Sequence, residues 1–247
     1  MSMPYIEKTT VAGRTVLIER CYSSHVHPPG AKREKKSKKT KEAQLKVNMR
    51  KTATQLTILM NANFHPGDYH VTLTYTPDER PEEIEGAKKD REEFLRHLRR
   101  RIKREGEKFK YILVTEIGKR GALHHHMVMN RVPTEWIRKE WPKGRIDIRP
   151  LDDTGQYSRL AEYFTKYKYQ FQKMGGKGHA WTRSTNLHRP ETKKRIITNR
   201  ECFRQEPRDK KGYWIDKGTV YAGISELTGW GFVRYILVKN DGRRGSP

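Results

Sequence analysis

The sequence predicts an α+β fold in which an antiparallel sheet is flanked by helices. In the central part of the chain, short segments with the period-two alternation of strands are interrupted by segments with helical spacing. Two strand segments, residues 110–117 and 122–130, are joined only by Gly118-Lys-Arg-Gly121. So short a connection makes a hairpin, and hairpin strands pair antiparallel.

The N-terminal part of the chain predicts three elements in order. Residues 4–22 alternate well enough to predict a hairpin. Residues 23–41 combine prolines, a glycine and a run of lysines and arginines, with no large apolar residue after Val26, which predicts a flexible basic linker. From residue 42 to residue 61, the apolar spacing predicts a basic helix.

Strand and helix patterns then alternate through the centre of the chain. Residues 70–75 predict a strand with His70, Thr72 and Thr74 on one face and apolar residues on the other. Residues 82–105 predict a helix, because acidic residues begin the segment, basic residues end it and an apolar stripe follows one face. A short helix over 133–141, a strand over 145–149 and a helix over 154–171 complete this region.

These patterns divide the chain into four predicted regions. They are an N-terminal hairpin (1–22), the basic flexible linker (23–41), a central α+β domain (42–175) and a basic C-terminal region (176–247). Strand and turn signals are mixed over residues 213–239, so the pattern predicts no topology for the C-terminal region.

The charge of the chain indicates a polyanionic partner. Among 247 residues, 53 are Lys or Arg and 29 are Asp or Glu, which gives a formal net charge of +24. Aromatic residues still make up 10% of the chain, whereas disordered basic tails are poor in aromatic residues. A folded nucleic-acid-binding protein is therefore the leading class.

Other classes are disfavoured by the sequence. No apolar run approaches the length of a membrane span, and the first residues have no apolar signal segment, so we expect no membrane partner. Cys21 and Cys202 are single and far apart, which excludes a disulfide framework or a cysteine-based zinc site. The expected location is a reducing cytoplasm.

Three consecutive histidines lie on one of the predicted strands. Because side chains alternate along a strand, His124 and His126 share one face and His125 lies on the other. A hairpin register centred on Arg120 places Glu116 opposite His124, about 5 Å away between Cβ atoms. Two imidazoles and a carboxylate form a mixed N/O site that suits Mg²⁺ or Mn²⁺ with phosphate oxygens. The alternative is a histidine-rich strand with ordinary hydrogen bonds.

The helix over residues 154–171 offers a nucleophile. Tyr163, Lys166 and Tyr167 stand at i, i+3 and i+4, so they share one helical face. A phenol with a pKa of about 10 is a weak nucleophile, but a neighbouring ammonium favours the phenolate and a metal activates a phosphate. Attack of Tyr163 on a DNA phosphodiester would give a 5'-phosphotyrosine and a free 3'-OH. The alternative is that both tyrosines are core aromatics.

Three segments together resemble the motifs of the HUH endonucleases, whose name denotes a His-hydrophobic-His pair. The segments are GDYHVTLTYTPDERP from Gly67, VTEIGKRGALHHHMVMN and LAEYFTK. They are most similar to those of the rolling-circle replication initiators (Rep proteins) of small phages and plasmids, and of the phage replication-associated gene II-like group. The resemblance covers roughly residues 67–170 and includes a strand motif, a metal motif and a Tyr-x-x-Lys motif.

The resemblance implies a role for each matching residue. His124 and His126 would be metal ligands, Glu116 the third ligand, Tyr163 the catalytic nucleophile and Lys166 its charge partner. It also implies a ferredoxin-like core related to the RRM fold for the 42–175 region, and Mg²⁺ or Mn²⁺ as cofactor. The expected activity is sequence-specific nicking and joining of single-stranded DNA to initiate rolling-circle replication in the cytoplasm of a bacterial host.

The sequence departs from the family pattern at two places. His125 replaces the hydrophobic middle residue of the metal motif, and strand parity favours the outer two histidines as ligands. Tyr167 has the spacing of a second catalytic tyrosine, but Gln170 stands where a second Lys would follow. A single-tyrosine enzyme is therefore favoured, with Tyr167 as the alternative.

DNA binding is expected to combine charge with base stacking and to weaken steeply with salt. Backbone contacts are predicted for Lys35, Lys36, Lys38, Lys39, Arg120, Lys193, Lys194 and Arg195, and the candidate stacking residues are Trp136, Trp141, Tyr157 and Trp181. The partner would be single-stranded or origin hairpin DNA. The sequence contains no ATP-binding phosphate loop, which implies a separate host helicase, as well as a polymerase.

Two other functions stay open at the level of sequence. A relaxase of plasmid mobilisation or a single-strand transposase would use the same chemistry. A non-catalytic nucleic-acid-binding module would use the charge alone.

Overall fold

The computed structural model describes residues 5–23, 41–118, 121–173, 181–197, 206–225 and 229–240. The helices are α1 (Lys41–Asn63), α2 (Ile84–Arg104), α3 (Thr134–Glu140) and α4 (Ser158–Lys173). The strands are β1 (Tyr5–Ala12), β2 (Thr15–Tyr22), β3 (Tyr69–Thr74), β4 (Tyr111–Ile117), β5 (Leu123–Met129), β6 (Ile146–Pro150), β7 (Trp181–Arg183), β8 (Thr192–Ile197), β9 (Tyr213–Ile224) and β10 (Gly231–Lys239).

The predicted α+β class with antiparallel pairing is confirmed. The strands form two five-stranded sheets, in the orders β8-β1-β2-β10-β9 and β6-β3-β5-β4-β7. The chain divides into two compact units: unit 1 contains Met1–Ala62 and Arg189–Pro247, and unit 2 contains Asn63–His188. Each unit holds one of the sheets.

Unit 2 buries both faces of its sheet, which is consistent with a ferredoxin-like core. On one face, β3, β4 and β5 pack with α2 and α3 in a core cluster that includes Leu98, Met127 and Trp141. On the other face, Phe164 of α4 lies beside His126, with ring centroids 6.5 Å apart. The polar face of β3 and β5 therefore lies under α4.

Helix α2 has apolar residues at helical spacing for packing into the core, and charged residues at the ends that suit the helix dipole. Its buried residues are Ala87, Arg91, Phe94, Leu95, Leu98 and Ile102, which follow the helical repeat along one face. Glu85 lies in the first turn, and Arg101, Lys103 and Arg104 lie in the last turn, where the helix dipole favours these charges.

Unit 1 joins residues from both ends of the chain. Antiparallel β1 and β2 form the predicted hairpin, and β8 and β10 pair with its two outer edges. The turn of the hairpin requires Gly13, whose φ is +56° and where a Cβ would lie 2.1 Å from the Asn61 carbonyl oxygen. Asn61 Nδ2 also donates to Thr15 Oγ1 at 3.0 Å, so the end of α1 is held against the turn.

The compact units do not follow the predicted domain limits. Helix α1 was expected to open the 42–175 domain, but it belongs to unit 1. The 176–247 region, for which no topology was predicted, supplies β7 to unit 2 and β8, β9 and β10 to unit 1. Apart from the β9–β10 pair, these pairings join positions far apart in sequence, which local periodicity does not reveal.

Several predicted features lie outside the described residues. They include the linker from residue 24 to residue 40, with Lys35, Lys36, Lys38 and Lys39, and also Arg120 and Cys202. Among the helices that are described, none is both long enough and apolar enough to cross a membrane.

The core of unit 2 gives a test of the packing. We expect Leu98→Ala to lower the free energy of unfolding by about 2–5 kcal/mol, because the fully buried leucine leaves a cavity in the α2 face of the sheet. Arg100 is exposed on the same helix, so Arg100→Ala is the matched control and should change the free energy of unfolding by less than about 0.5 kcal/mol. Urea unfolding of the two variants measures the difference, and equal losses would contradict this packing.

Candidate active site

The polar face of unit 2 is organised by strand register. In the β4–β5 hairpin Glu116 is opposite His124, which confirms the register predicted from the sequence. In the β3–β5 pair Thr72 is opposite His126. Directly paired residues project from the same face, so Thr72, Glu116, His124 and His126 are brought together under α4.

Glu116, His124 and His126 form a compact cluster of side chains that could hold a metal ion. One ligand atom from each lies within 4.8 Å of the others. Glu116 Oε2 is 2.8 Å from His126 Nε2 and 4.0 Å from His124 Nδ1. His126 is buried, whereas Glu116 and His124 are half-buried. The donor set of two imidazoles and a carboxylate fits a divalent cation and leaves positions toward solvent for a substrate oxygen.

His126 is a neutral imidazole that directs Nε2, as an N–H donor, at the Glu116 carboxylate. Thr72 Oγ1 lies 3.3 Å from Nδ1, so Nε2 is the nitrogen directed at Glu116. Burial lowers the pKa of His126 and outweighs the raising effect of the Glu116 carboxylate. The ring is therefore neutral at physiological pH, and neutral imidazole with its second nitrogen hydrogen-bonded is the usual metal ligand.

His125 lies on the opposite face, as strand parity predicts. Its side chain is fully buried, with Nδ1 3.0 Å from Thr115 Oγ1 and Nε2 2.9 Å from the Tyr75 hydroxyl. Burial, assisted by the nearby Arg91, lowers the pKa of His125 to about 3. His125 is therefore a hydrogen-bonded core residue, pointing away from the cluster.

Helix α4 brings both predicted tyrosines to the cluster. The Tyr163 ring lies edge-on to the His126 ring with centroids 5.3 Å apart, and 38% of the Tyr163 residue is exposed. The Tyr167 ring stacks on His126, also at 5.3 Å and with an interplanar angle of 7°. Lys166 is exposed on the same helix. Neither tyrosine is remote from the cluster, but only Tyr163 has a large exposed fraction.

The two tyrosines differ electrostatically as well. Their rings are 4.3 Å apart, and Tyr167 is buried. Burial raises the pKa of Tyr167, and hydrogen bonding to Tyr163 and the charge of Glu116 raise it further. Tyr167 therefore stays a neutral phenol, which makes it the weaker candidate for a phenolate nucleophile.

His70 also belongs to this face, although no site role was predicted for it. It stacks on His126 with ring centroids 5.7 Å apart. Burial and the neighbouring His126 lower the pKa of His70 to about 4. Its Nε2 is buried without a hydrogen-bond partner in the part of the chain that the structure describes. The alternation of residues 70–75 was the sequence signal that could have placed it here.

The predicted DNA-binding side chains lie in different environments. Lys193, Lys194 and Arg195 are exposed on β8 in unit 1, and Arg195 Nε pairs with Glu7 Oε1 at 2.8 Å. Among the predicted stacking residues, Trp141 and Tyr157 are buried in unit 2, so their faces are closed to bases. The half-buried Trp136 packs on the unit 2 core, and Trp181 is half-buried on β7.

The burial of His125 predicts a specific pH dependence of stability. Its folded pKa is about 3, below the ordinary value near 6.5, so only the unfolded chain takes up this proton as the pH falls below about 6.5. The stabilisation is complete above that pH and is lost toward acid. In His125→Gln the fall in unfolding free energy between about pH 7 and pH 5 should be shallower.

The exposed His65→Gln is the control for this measurement, and it should keep the slope of the unchanged protein. Urea unfolding at several pH values gives the slopes. Identical slopes for His125→Gln and the unchanged protein would contradict the assigned environment of His125.

The cluster predicts which histidine affects metal affinity. We expect His124→Ala to weaken Mn²⁺ binding about tenfold or more, because one of the three converging donors is lost. His125→Gln should leave the affinity of the folded protein nearly unchanged, because its ring lies on the other face. Calorimetric titration with Mn²⁺ measures both, and equal effects would reject the assignment.

Comparison with known proteins gives one family match. Residues 68–168 match the family model for the replication-associated proteins of the ORF2 and gene II protein type. Searches of curated proteins and of solved structures found no match. The matched segment contains β3, the β4–β5 hairpin and most of α4, and so includes Glu116, His124, His126, Tyr163 and Lys166. The match supports the similarity to replication-associated proteins of the rolling-circle initiator group.

Proposed function

We propose that the protein is a metal-dependent endonuclease that nicks and joins single-stranded DNA at a specific sequence and so initiates rolling-circle replication. The observation that carries the proposal is the exposed Tyr163 beside His126, in the cluster that His126 forms with Glu116 and His124. A cation site and a phenol in one place are what phosphodiester transesterification requires. The family match of residues 68–168 points to the same function.

The three cluster residues would hold Mg²⁺ or Mn²⁺. His126 would bind through Nε2, which requires its proton to move from Nε2 to Nδ1, where it would be donated to Thr72, and Glu116 would contribute a carboxylate oxygen. His124, half-buried at the edge of the cluster, would complete the protein ligands. When bound, such a cation polarises a phosphate and offsets the charge that develops during attack.

Tyr163 is the proposed nucleophile. Its phenol oxygen forms a new bond to phosphorus as the bond between phosphorus and the 3' oxygen breaks. The phenol proton passes to solvent, and the departing 3' oxygen takes up a proton. The products are a 5'-phosphotyrosine and a free 3'-OH, and attack of a 3'-OH on the phosphotyrosine reverses the step and joins the strand.

Lys166 and Tyr167 support this step in the proposal. Lys166 follows Tyr163 by three residues on α4, so its ammonium group lies on the same side of the helix and favours the phenolate. Tyr167 is buried between His126 and Tyr163 and keeps its proton. We assign it to positioning the Tyr163 ring, and a single-tyrosine enzyme follows from this difference in burial.

The proposed partners follow from the same chemistry. The substrate is single-stranded DNA, including the exposed strand of an origin hairpin, because the nucleophile must reach an extended backbone. Unwinding and synthesis require a separate helicase and polymerase, since the sequence has no phosphate loop for ATP. The proposed setting is the cytoplasm of a bacterial host that carries a phage or plasmid.

The decisive test is the covalent intermediate. The protein is incubated with a pool of single-stranded DNA of random sequence and Mn²⁺, and the products are separated by denaturing electrophoresis. We expect an adduct that is lost in Tyr163→Phe, because the attacking oxygen is removed, and is lost with EDTA. Tyr167→Phe should retain the adduct at a reduced level.

Tyr169→Phe, on the same helix, is the matched control and should form the adduct at the unchanged level. An adduct that survives Tyr163→Phe and disappears only in Tyr167→Phe would transfer the nucleophile to Tyr167. Binding of DNA with no adduct under any metal condition would favour the non-catalytic binding module.

A further inference from the structure

A large groove lies within unit 1, between α1 and one face of its sheet. It has a volume of about 1000 Å³. One row of directly paired groove residues crosses all five strands of the sheet. In order from β8 to β9 the row is Lys194, Lys8, Glu19, Arg234 and Tyr221. Because directly paired residues share a face, these side chains form a continuous strip along the floor of the groove.

The groove is strongly basic. Its lining contains Lys8, Arg50, Lys51, Lys194 and Arg234, against Glu19 as the acidic residue among the lining residues that the structure describes. Arg195 is also at the groove, but it pairs with Glu7 at 2.8 Å and is not counted in this excess. Glu19 contacts Lys8 at 2.6 Å and is directly opposite Arg234 in the strand register. Lys51 and Lys194 are exposed. An excess of positive charge in a concave surface favours an anionic occupant.

Aromatic rings lie among these charges. Tyr221 is 37% exposed, and the Arg50 guanidinium of α1 lies 4.7 Å from its ring centroid. Tyr221 is 5.0 Å from the Phe232 ring. A second pair, Tyr22 and Trp230, is stacked at 5.3 Å with an interplanar angle of 25°. All of these rings line the groove.

We propose that this groove binds single-stranded DNA, separately from the catalytic cluster of unit 2. The lysines and arginines would contact phosphates, and the exposed part of Tyr221, flanked by Arg50 and Arg234, would contact a base. A single strand is favoured over a duplex, because a duplex buries the faces of its bases and offers an aromatic platform nothing to stack on. The choice of DNA over RNA rests on the proposed function.

The proposed binding groove gives a function to unit 1, which lies outside the segment that matches the family. Residues 68–168 hold the proposed chemistry, whereas the groove is built from α1, β1, β2, β8, β9 and β10. Unit 1 would hold a strand by its backbone and stacked bases while unit 2 cuts and joins. Of the predicted DNA-binding residues on β8, Lys194 lines this groove, whereas Arg195 pairs with Glu7.

Equilibrium binding tests the aromatic part of the groove. Full-length protein carrying Tyr163→Phe, with EDTA present, is titrated against a fluorescent mixed-sequence single strand and the matching duplex, so that no adduct forms. Adding Tyr221→Ala should weaken single-strand binding about tenfold. Trp214→Ala is the matched control, because Trp214 is 42% exposed on the same strand but lies outside the groove lining, and it should change binding less than about twofold.

Salt dependence tests the charged part independently. Each lost phosphate contact should reduce the slope of log affinity against log salt concentration by about 0.7. We expect this reduction for Arg50→Gln and for Lys194→Gln, but not for Lys217→Gln, an exposed lysine of β9 outside the groove lining. These variants keep the aromatic rings, so they remain informative if Tyr221→Ala fails to fold.

The two proposals fail in distinguishable ways. Absence of a covalent adduct in the unchanged protein would overturn the nicking function and leave the binding result standing. Two results together would overturn the proposed DNA binding by the groove. They are equal single-strand affinities for Tyr221→Ala and Trp214→Ala, and equal salt slopes for Arg50→Gln and Lys217→Gln. Duplex binding as tight as single-strand binding, or preference for a single-stranded RNA of the same sequence, would also overturn it.

Discussion

The antiparallel pairing of β4 with β5 is the constraint on which the site depends. With Glu116 opposite His124, the two outer histidines and the carboxylate share one face, and His125 is directed into the core. A shift of one residue in this register would reverse every side chain of β5. His125 would then leave its hydrogen bonds to Thr115 and Tyr75, and two imidazoles would enter an apolar core. Core packing therefore protects the geometry of the cluster.

Burial by α4 determines the chemical state of the cluster. It lowers the pKa of His126 and of His70, so both rings are neutral at physiological pH. On α4 itself, burial against His126 raises the pKa of Tyr167, whereas Tyr163 is partly exposed. One helix thus provides two phenols of different character four residues apart, which is the physical basis for choosing Tyr163 as the proposed nucleophile.

Charge and chemistry are distributed over different parts of the chain. The net charge of +24 is compatible with any polyanion partner, but the structure concentrates basic and aromatic side chains in one groove of unit 1. The candidate metal cluster lies in unit 2, within the segment that matches the replication-associated family. In the proposed function, affinity for the strand and cleavage of the strand are therefore supplied by separate surfaces.

Local patterns in the sequence determined most helices and strands, and also which side chains of the site share one face of the sheet. Alternation and hairpin length were enough to place Glu116 against His124, because neighbouring strands joined by a short turn pair locally. The position of α4 over this face, the burial of Tyr167 and the stacking of His70 on His126 were decided by tertiary packing. The same holds for unit 1, where β8 pairs with β1 across most of the chain and α1 joins the hairpin. Those contacts depend on which distant segments bury apolar surface together, and periodicity within a segment carries no information about that choice.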